Sequence, residues 1–219
     1  MKLKLIAGAV VLGLAVAGCS TVEPTASQTA QTTETVAVPS SIRLHAAMQD
    51  LWHQHIVATR DYALAVYAGD EAAARAAQDA EVANGHDIAN AVAGVYGQAA
   101  GEGIFKLLAG HVGGVNALTL ASRNGDTEAQ SAAMNDLSDN AMQIAEFLAG
   151  ANPANWTVDA INGALLAHAG HHWKQIDLLM TRAPQAEQDA EWTAMQAHMD
   201  MIAGVLADGI AKQFPGKFN

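Results

Sequence analysis

From about Ser40 onward, apolar residues return every three or four positions, the period of a helix face, and no segment alternates as a strand would. Six helical segments are predicted. The first runs from Ser40-Ser41, which can cap it, to Gly69-Asp70, with a stripe of Met48, Leu51, Trp52, His55, Ala58, Tyr62, Ala65 and Val66. The second begins near Glu71, breaks at Asn84-Gly85 and continues through Ile88 to about Gly97. The third spans Ala99 to Arg123 with Ile104, Leu107, Leu108, His111, Val115 and Leu118 on one side. The fourth covers Thr127 to Ala149. The fifth, capped by Thr157, carries Ile161, Leu165, His168, His172, Ile176 and Leu179, and Pro184 separates it from the sixth, Gln185 to Gln213.

The pattern repeats. His55, His111 and His168 recur at steps of 56 and 57 residues, Gly69-Asp70 returns as Gly125-Asp126, Asn84 as Asn140, and Ile88-Ala89 as Ile144-Ala145. Self-similarity at this period, with short connections, predicts an all-α fold: an up-down six-helix bundle built from three repeated hairpins. Helices one, three and five would then run the same way and bring the three imidazoles to one depth.

The N-terminus reads differently. Lys2 and Lys4 precede a short apolar run, Leu5 to Val16, and Val16-Ala17-Gly18-Cys19 resembles the bacterial lipobox. That resemblance implies a signal peptide over 1–18, cleavage before Cys19 and lipidation of Cys19, the one cysteine of the chain. A membrane anchor at the cell envelope follows, with Ser20 favouring the outer membrane, facing the periplasm, in a Gram-negative cell. Residues 19–39, rich in Thr, Ser, Gln and Pro, lack the apolar surface to fold and predict a tether. The bundle domain occupies 40–219. No second segment is expected to span a membrane, and no disulfide can form.

The net charge of −11 disfavours nucleic acid as a partner and mildly concentrates cations, although solubility alone accounts for it. A protein partner is not specified by any feature.

Buried imidazoles stay neutral and suit Zn, Cu, Fe or Ni. His55, His111 and His168 are therefore candidate metal ligands, with His172 as a fourth, one turn after His168. Asn84, Asp87 and Asn140 could support the ligating rings from behind. His198 with Met195 and Met199 would suit Cu(I) if they faced the same cavity. His171 is expected at the surface. The rival reading is a structural layer in which each imidazole bonds to backbone or Asn within its own hairpin; a small-ligand pocket lined by the same residues is the third.

Familiar chemistries are missing from the sequence: no Cys-x-x-Cys-His, His-Glu-x-x-His, phosphate loop or nucleophile elbow occurs. His168-x-x-x-His172 matches one piece of the hemerythrin pattern, but the other pieces are lacking, as are the paired Glu-x-x-His motifs of ferritin-like sites. Leu51-Trp52 with His55, Tyr96-Gly97, the stretch Asn140 to Pro153 and the ending Ala207 to Pro215 resemble a family of bacterial helical envelope proteins without an assigned activity. The resemblance implies that His55, His111 and His168 belong to the shared pattern, while His172, His198 and the methionines are particular to this chain. The expected function is an envelope-anchored, non-enzymatic binding module for a transition metal (Cu or Zn) or a small ligand, the alternative being a structural or interaction lipoprotein.

Overall fold

The computed structural model describes residues 40–218, so the expected signal peptide, lipidation at Cys19 and tether lie outside the described residues. Those described are all-helical, in seven helices: α1 (Ser40–Ala68), α2 (Glu71–Tyr96), α3 (Gln98–Asn124), α4 (Thr127–Ala151), α5 (Val158–Met180), α6 (Gln185–Gln213) and the short α7 (Pro215–Phe218). The six long helices match the predicted segments to within two residues at nearly every end. Ser40 and Ser41 lie inside α1 and not ahead of it.

Packing follows a simple plan. Helices α1, α3 and α5 contact one another, while α2 packs on α1 and α3, α4 on α3 and α5, and α6 on α5 and α1. The inner helices bury Ala58, Tyr62, Ile104, Leu108, Val115, Leu118, Ile161 and Ile176 on the faces the periodicity picks out, and Ile56 beside the first of them.

The connections from α1, α3 and α5 to the next helix share one geometry. Gly69, Gly125 and Arg182 take positive φ angles of 74°, 69° and 56°. The next residue returns its N–H to the carbonyl five residues earlier in each case: Asp70 to Ala65, Asp126 to Ala121 and Ala183 to Leu178. Asp70 and Asp126 then cap α2 and α4 by accepting backbone N–H groups. Pro184 precedes α6 and supplies no side-chain cap.

Two expectations need correcting. Asn84-Gly85 does not interrupt α2, which is continuous. Both residues serve contact instead: Asn84 Nδ2 donates to the Leu51 carbonyl, and a Cβ on Gly85 would meet the Phe105 ring at 3.4 Å. Tertiary packing outweighs the roughly 1 kcal/mol that an interior glycine costs a helix. Second, α3 is long and apolar enough to cross a membrane by length and composition, contrary to the expectation of no such segment. Its apolarity has a local cause, since it is an inner helix that contacts four others and buries Ile104, Leu108, His111, Val115 and Leu118.

Candidate metal centre

The inner helices bring their repeated histidines together. One ring nitrogen from each of His55 on α1, His111 on α3, and His168 and His172 on α5 lies within 4.8 Å of the other three. All four residues are at least 95 % buried. The ring centroids of His55, His111 and His168 are 5.4–5.7 Å apart, so the three sit at one level, as the repeat requires. His172 joins from one turn further along α5, its Nε2 at 3.0 Å from His168 Nε2.

Burial keeps the imidazoles neutral. It lowers His55 to about 3, helped by neighbouring His111, and lowers His111 to about 4. His168 and His172 fall well below the ordinary histidine value, first through burial and then through nearby imidazoles, His172 foremost for His168 and His111 foremost for His172. Neutral imidazoles present lone pairs. Among the described residues His55 Nε2, His111 Nε2 and His168 Nδ1 have no hydrogen-bond partner despite being buried. Unpartnered buried polar atoms are costly, and three within one cluster call for an explanation.

The rival arrangement, with each imidazole bonded inside its own hairpin, is not what the structure contains. The echoing asparagines do something else. Asn84 Nδ2 donates to the Leu51 carbonyl at 2.9 Å, and Asn140 Nδ2 donates to the Leu107 carbonyl at 3.0 Å. Each acceptor lies four residues before a clustered histidine. The third copy completes the set with a different residue: His198 Nε2 donates to the Ala164 carbonyl at 2.9 Å, and Ala164 lies four residues before His168. These side chains pin the inner helices one turn before each of the three repeated histidines. Asn84 and Asn140 thus support the site through the backbone. Asp87 is exposed and lies outside it.

His198 lies outside the group of four, and its Nε2 is taken by the Ala164 carbonyl. His198 and Met199 line the cavity that adjoins the cluster, whereas Met195 does not; both methionines are buried in an apolar cluster with Ile56, Ile202 and Leu206. His171 is half-buried, not exposed, and pairs through Nδ1 with Glu191. His45 pairs with Asp208 at 2.9 Å. His53 accepts from Gln196, and His86 stacks on Phe105 with centroids 4.1 Å apart.

A cavity of about 500 Å³ adjoins the cluster, lined by His55, His111, His168 and His198 at one end and otherwise by apolar and aromatic side chains. His172 lies on the other side of the cluster, beside a small space of about 30 Å³ that Thr59, Gln175 and Trp192 share.

Sequence reasoning missed Glu81. It is 96 % buried, accepts from Asn116 Nδ2 at 2.8 Å and is pushed up to about 7, mainly by burial. Nothing marks it in the repeat, because the equivalent position in the second copy is Leu137.

No family model, curated protein or solved structure matches this chain. Chemistry alone assigns the cluster. First-row ions hold imidazole nitrogens at about 2.0–2.1 Å, which places tetrahedral partners about 3.3 Å apart. The His168–His172 pair is already near that spacing, and the remaining rings need rotate inward by roughly an ångström. Four neutral nitrogen donors with no carboxylate or thiolate fit a borderline transition ion and not a hard cation such as Ca²⁺.

Proposed function

We propose that this chain is a non-enzymatic binding module that holds one transition ion, Zn or Cu, through His55, His111, His168 and His172. The observation carrying the reading is the convergence of four buried imidazoles, one nitrogen of each within 4.8 Å of the rest, with His55 Nε2 and His111 Nε2 left without partners among the described residues. We read the architecture as an up-down six-helix bundle of three related hairpins, supported by the shared turn geometry and by the three matched side-chain-to-carbonyl bonds. The lipobox-like run ending at Cys19 supports an envelope anchor, with the bundle held in the periplasm, and the resemblance to helical envelope proteins agrees with that setting.

Metal analysis of protein purified without an affinity tag tests the reading. One equivalent of a transition ion is expected, falling to background in a variant with His55, His111 and His168 all changed to Ala. Equal metal content in the two proteins would refute it.

A further inference from the structure

The cavity beside the histidines has a shape and a chemistry of its own. Along α1 it is lined from Leu44 to His55, eleven residues, so it runs about 16 Å at the helical rise of 1.5 Å per residue. Tyr96, Ala100, Ala160 and Ile210 line it too, which carries it to the end of the fold where α3 and α5 begin and α2 and α6 finish. No acidic, basic, amide or hydroxymethyl side chain lines it; beyond the imidazoles, its polar side chains are Trp52, Tyr96 and Trp156, and the Trp156 indole N–H is already given to the Val205 carbonyl. Gly163 and Ala167 of α5 and Met201 and Val205 of α6 line it and are also exposed, so it opens along the seam between those helices.

The charge balance decides what belongs there. Four neutral imidazoles bring no negative charge to an ion, and an apolar wall brings none either. A buried cation without a counter-charge is expensive. An anionic head on an unbranched apolar tail meets both demands. Trp52 adds a second, independent sign: its Nε1 lies buried without a hydrogen-bond partner among the described residues, and its ring sits 5.9 Å from that of His55. A carboxylate with one oxygen on the ion has another free to accept from an indole N–H.

We propose that this chamber binds a straight-chain carboxylate, its head taking a fifth position on the ion held by the four histidines and its tail along the chamber toward Leu44 and Ile210. The inference rests on the metal reading above. The chamber lies within the range of small-molecule sites, mostly apolar with few polar anchors. The tail contributes by burial, about 0.8 kcal/mol for each methylene.

Calorimetric titration of the zinc-loaded and metal-free protein with dodecanoate, below its micelle concentration, tests this. The loaded protein is expected to bind one dodecanoate, with affinity at least about tenfold weaker for metal-free protein, methyl dodecanoate, dodecanol and acetate. The ester arm separates a free acid from an esterified lipid chain. Ala164→Phe fills the chamber one turn from His168 and is expected to keep zinc and lose dodecanoate. Trp52→Phe is expected to keep zinc and bind dodecanoate several-fold more weakly. Protein that takes up zinc but no dodecanoate would overturn this inference and leave the metal reading standing, whereas failure to take up any ion would overturn both. Equal binding by loaded and metal-free protein, or by acid and ester, would overturn the placement of the head. Unchanged binding by Ala164→Phe would overturn the chamber.

Discussion

Nε2 of His172 faces Nε2 of His168 across 3.0 Å, one helical turn apart on α5. Between two neutral rings only one of these nitrogens can carry the shared proton. If His172 donates, the proton of His168 sits on its Nδ1, a buried atom with no acceptor among the described residues. If His168 donates, that same Nδ1 is a bare lone pair with no donor. An ion bound to both Nε2 atoms takes up both lone pairs at that edge and leaves the His168 proton on Nδ1. Replacing either residue by Ala is therefore expected to weaken zinc binding at least about tenfold, as measured by competition with a chromophoric chelator.

His198 makes the contrasting case. Its ring stands 6.4 Å from that of His168, yet its Nε2 serves the Ala164 carbonyl as Asn84 and Asn140 serve Leu51 and Leu107. His198→Asn is expected to keep full metal stoichiometry. His198→Leu is expected to cost about 1 kcal/mol of stability through the lost hydrogen bond, again without loss of metal. Denaturant unfolding beside metal analysis of the two variants checks both.

Arg182 occupies the left-handed turn position that Gly69 and Gly125 fill in the other copies. A side chain there carries a steric cost that glycine avoids. Arg182→Gly is expected to raise stability by about 0.5–1 kcal/mol, seen as an increase of roughly 1–4 °C in Tm.

Acid should unfold the metal-free protein early. In the unfolded chain each imidazole takes a proton near pH 6.5, whereas folded His55 and His111 resist down to about 3 and 4. The unfolded state then binds more protons, so stability falls as pH falls from 6.5 toward 3. Glu81 acts the other way, since its folded carboxyl keeps a proton up to about 7 and the unfolded one loses it near 4.5. Its share of stability falls as pH rises across that window, by up to about 3 kcal/mol. Urea midpoints are expected to drop steeply below pH 6, and Glu81→Gln is expected to gain relative to wild type between pH 5 and 8.

Gly209 seats Trp156. A Cβ at that position would lie 2.1 Å from the indole nitrogen, which donates to the Val205 carbonyl at 3.3 Å. Gly209→Ala must displace a fully buried ring and is expected to destabilise by about 1–3 kcal/mol, with a changed near-ultraviolet signal from the tryptophans.

The helices were legible because their apolar stripes are long and their ends carry Gly-Asp, Thr157 and Pro184. The convergence of His55, His111 and His168 was legible because a repeat that conserves position on an inner helix also conserves depth. Local signals failed where a distant contact decided the outcome. Asn84-Gly85 reads as a breaker, yet Leu51 and Phe105 hold it in a helix. The role of His198 was hidden because its counterparts are asparagines, so the shared property is an N–H donor at matched reach and not a residue type. Glu81 was invisible, being one of several acids in a polar-looking stretch, whereas its partner Asn116 lies on the next helix.

His172 has no histidine counterpart: the same position is Thr59 in the first copy and Val115 in the second. Three rings thus form a pseudo-symmetric tripod to which all three copies contribute equally, and a single departure in the last copy adds the fourth leg. The fourth imidazole sets α5 apart from α1 and α3, which supply one ring each to the cluster.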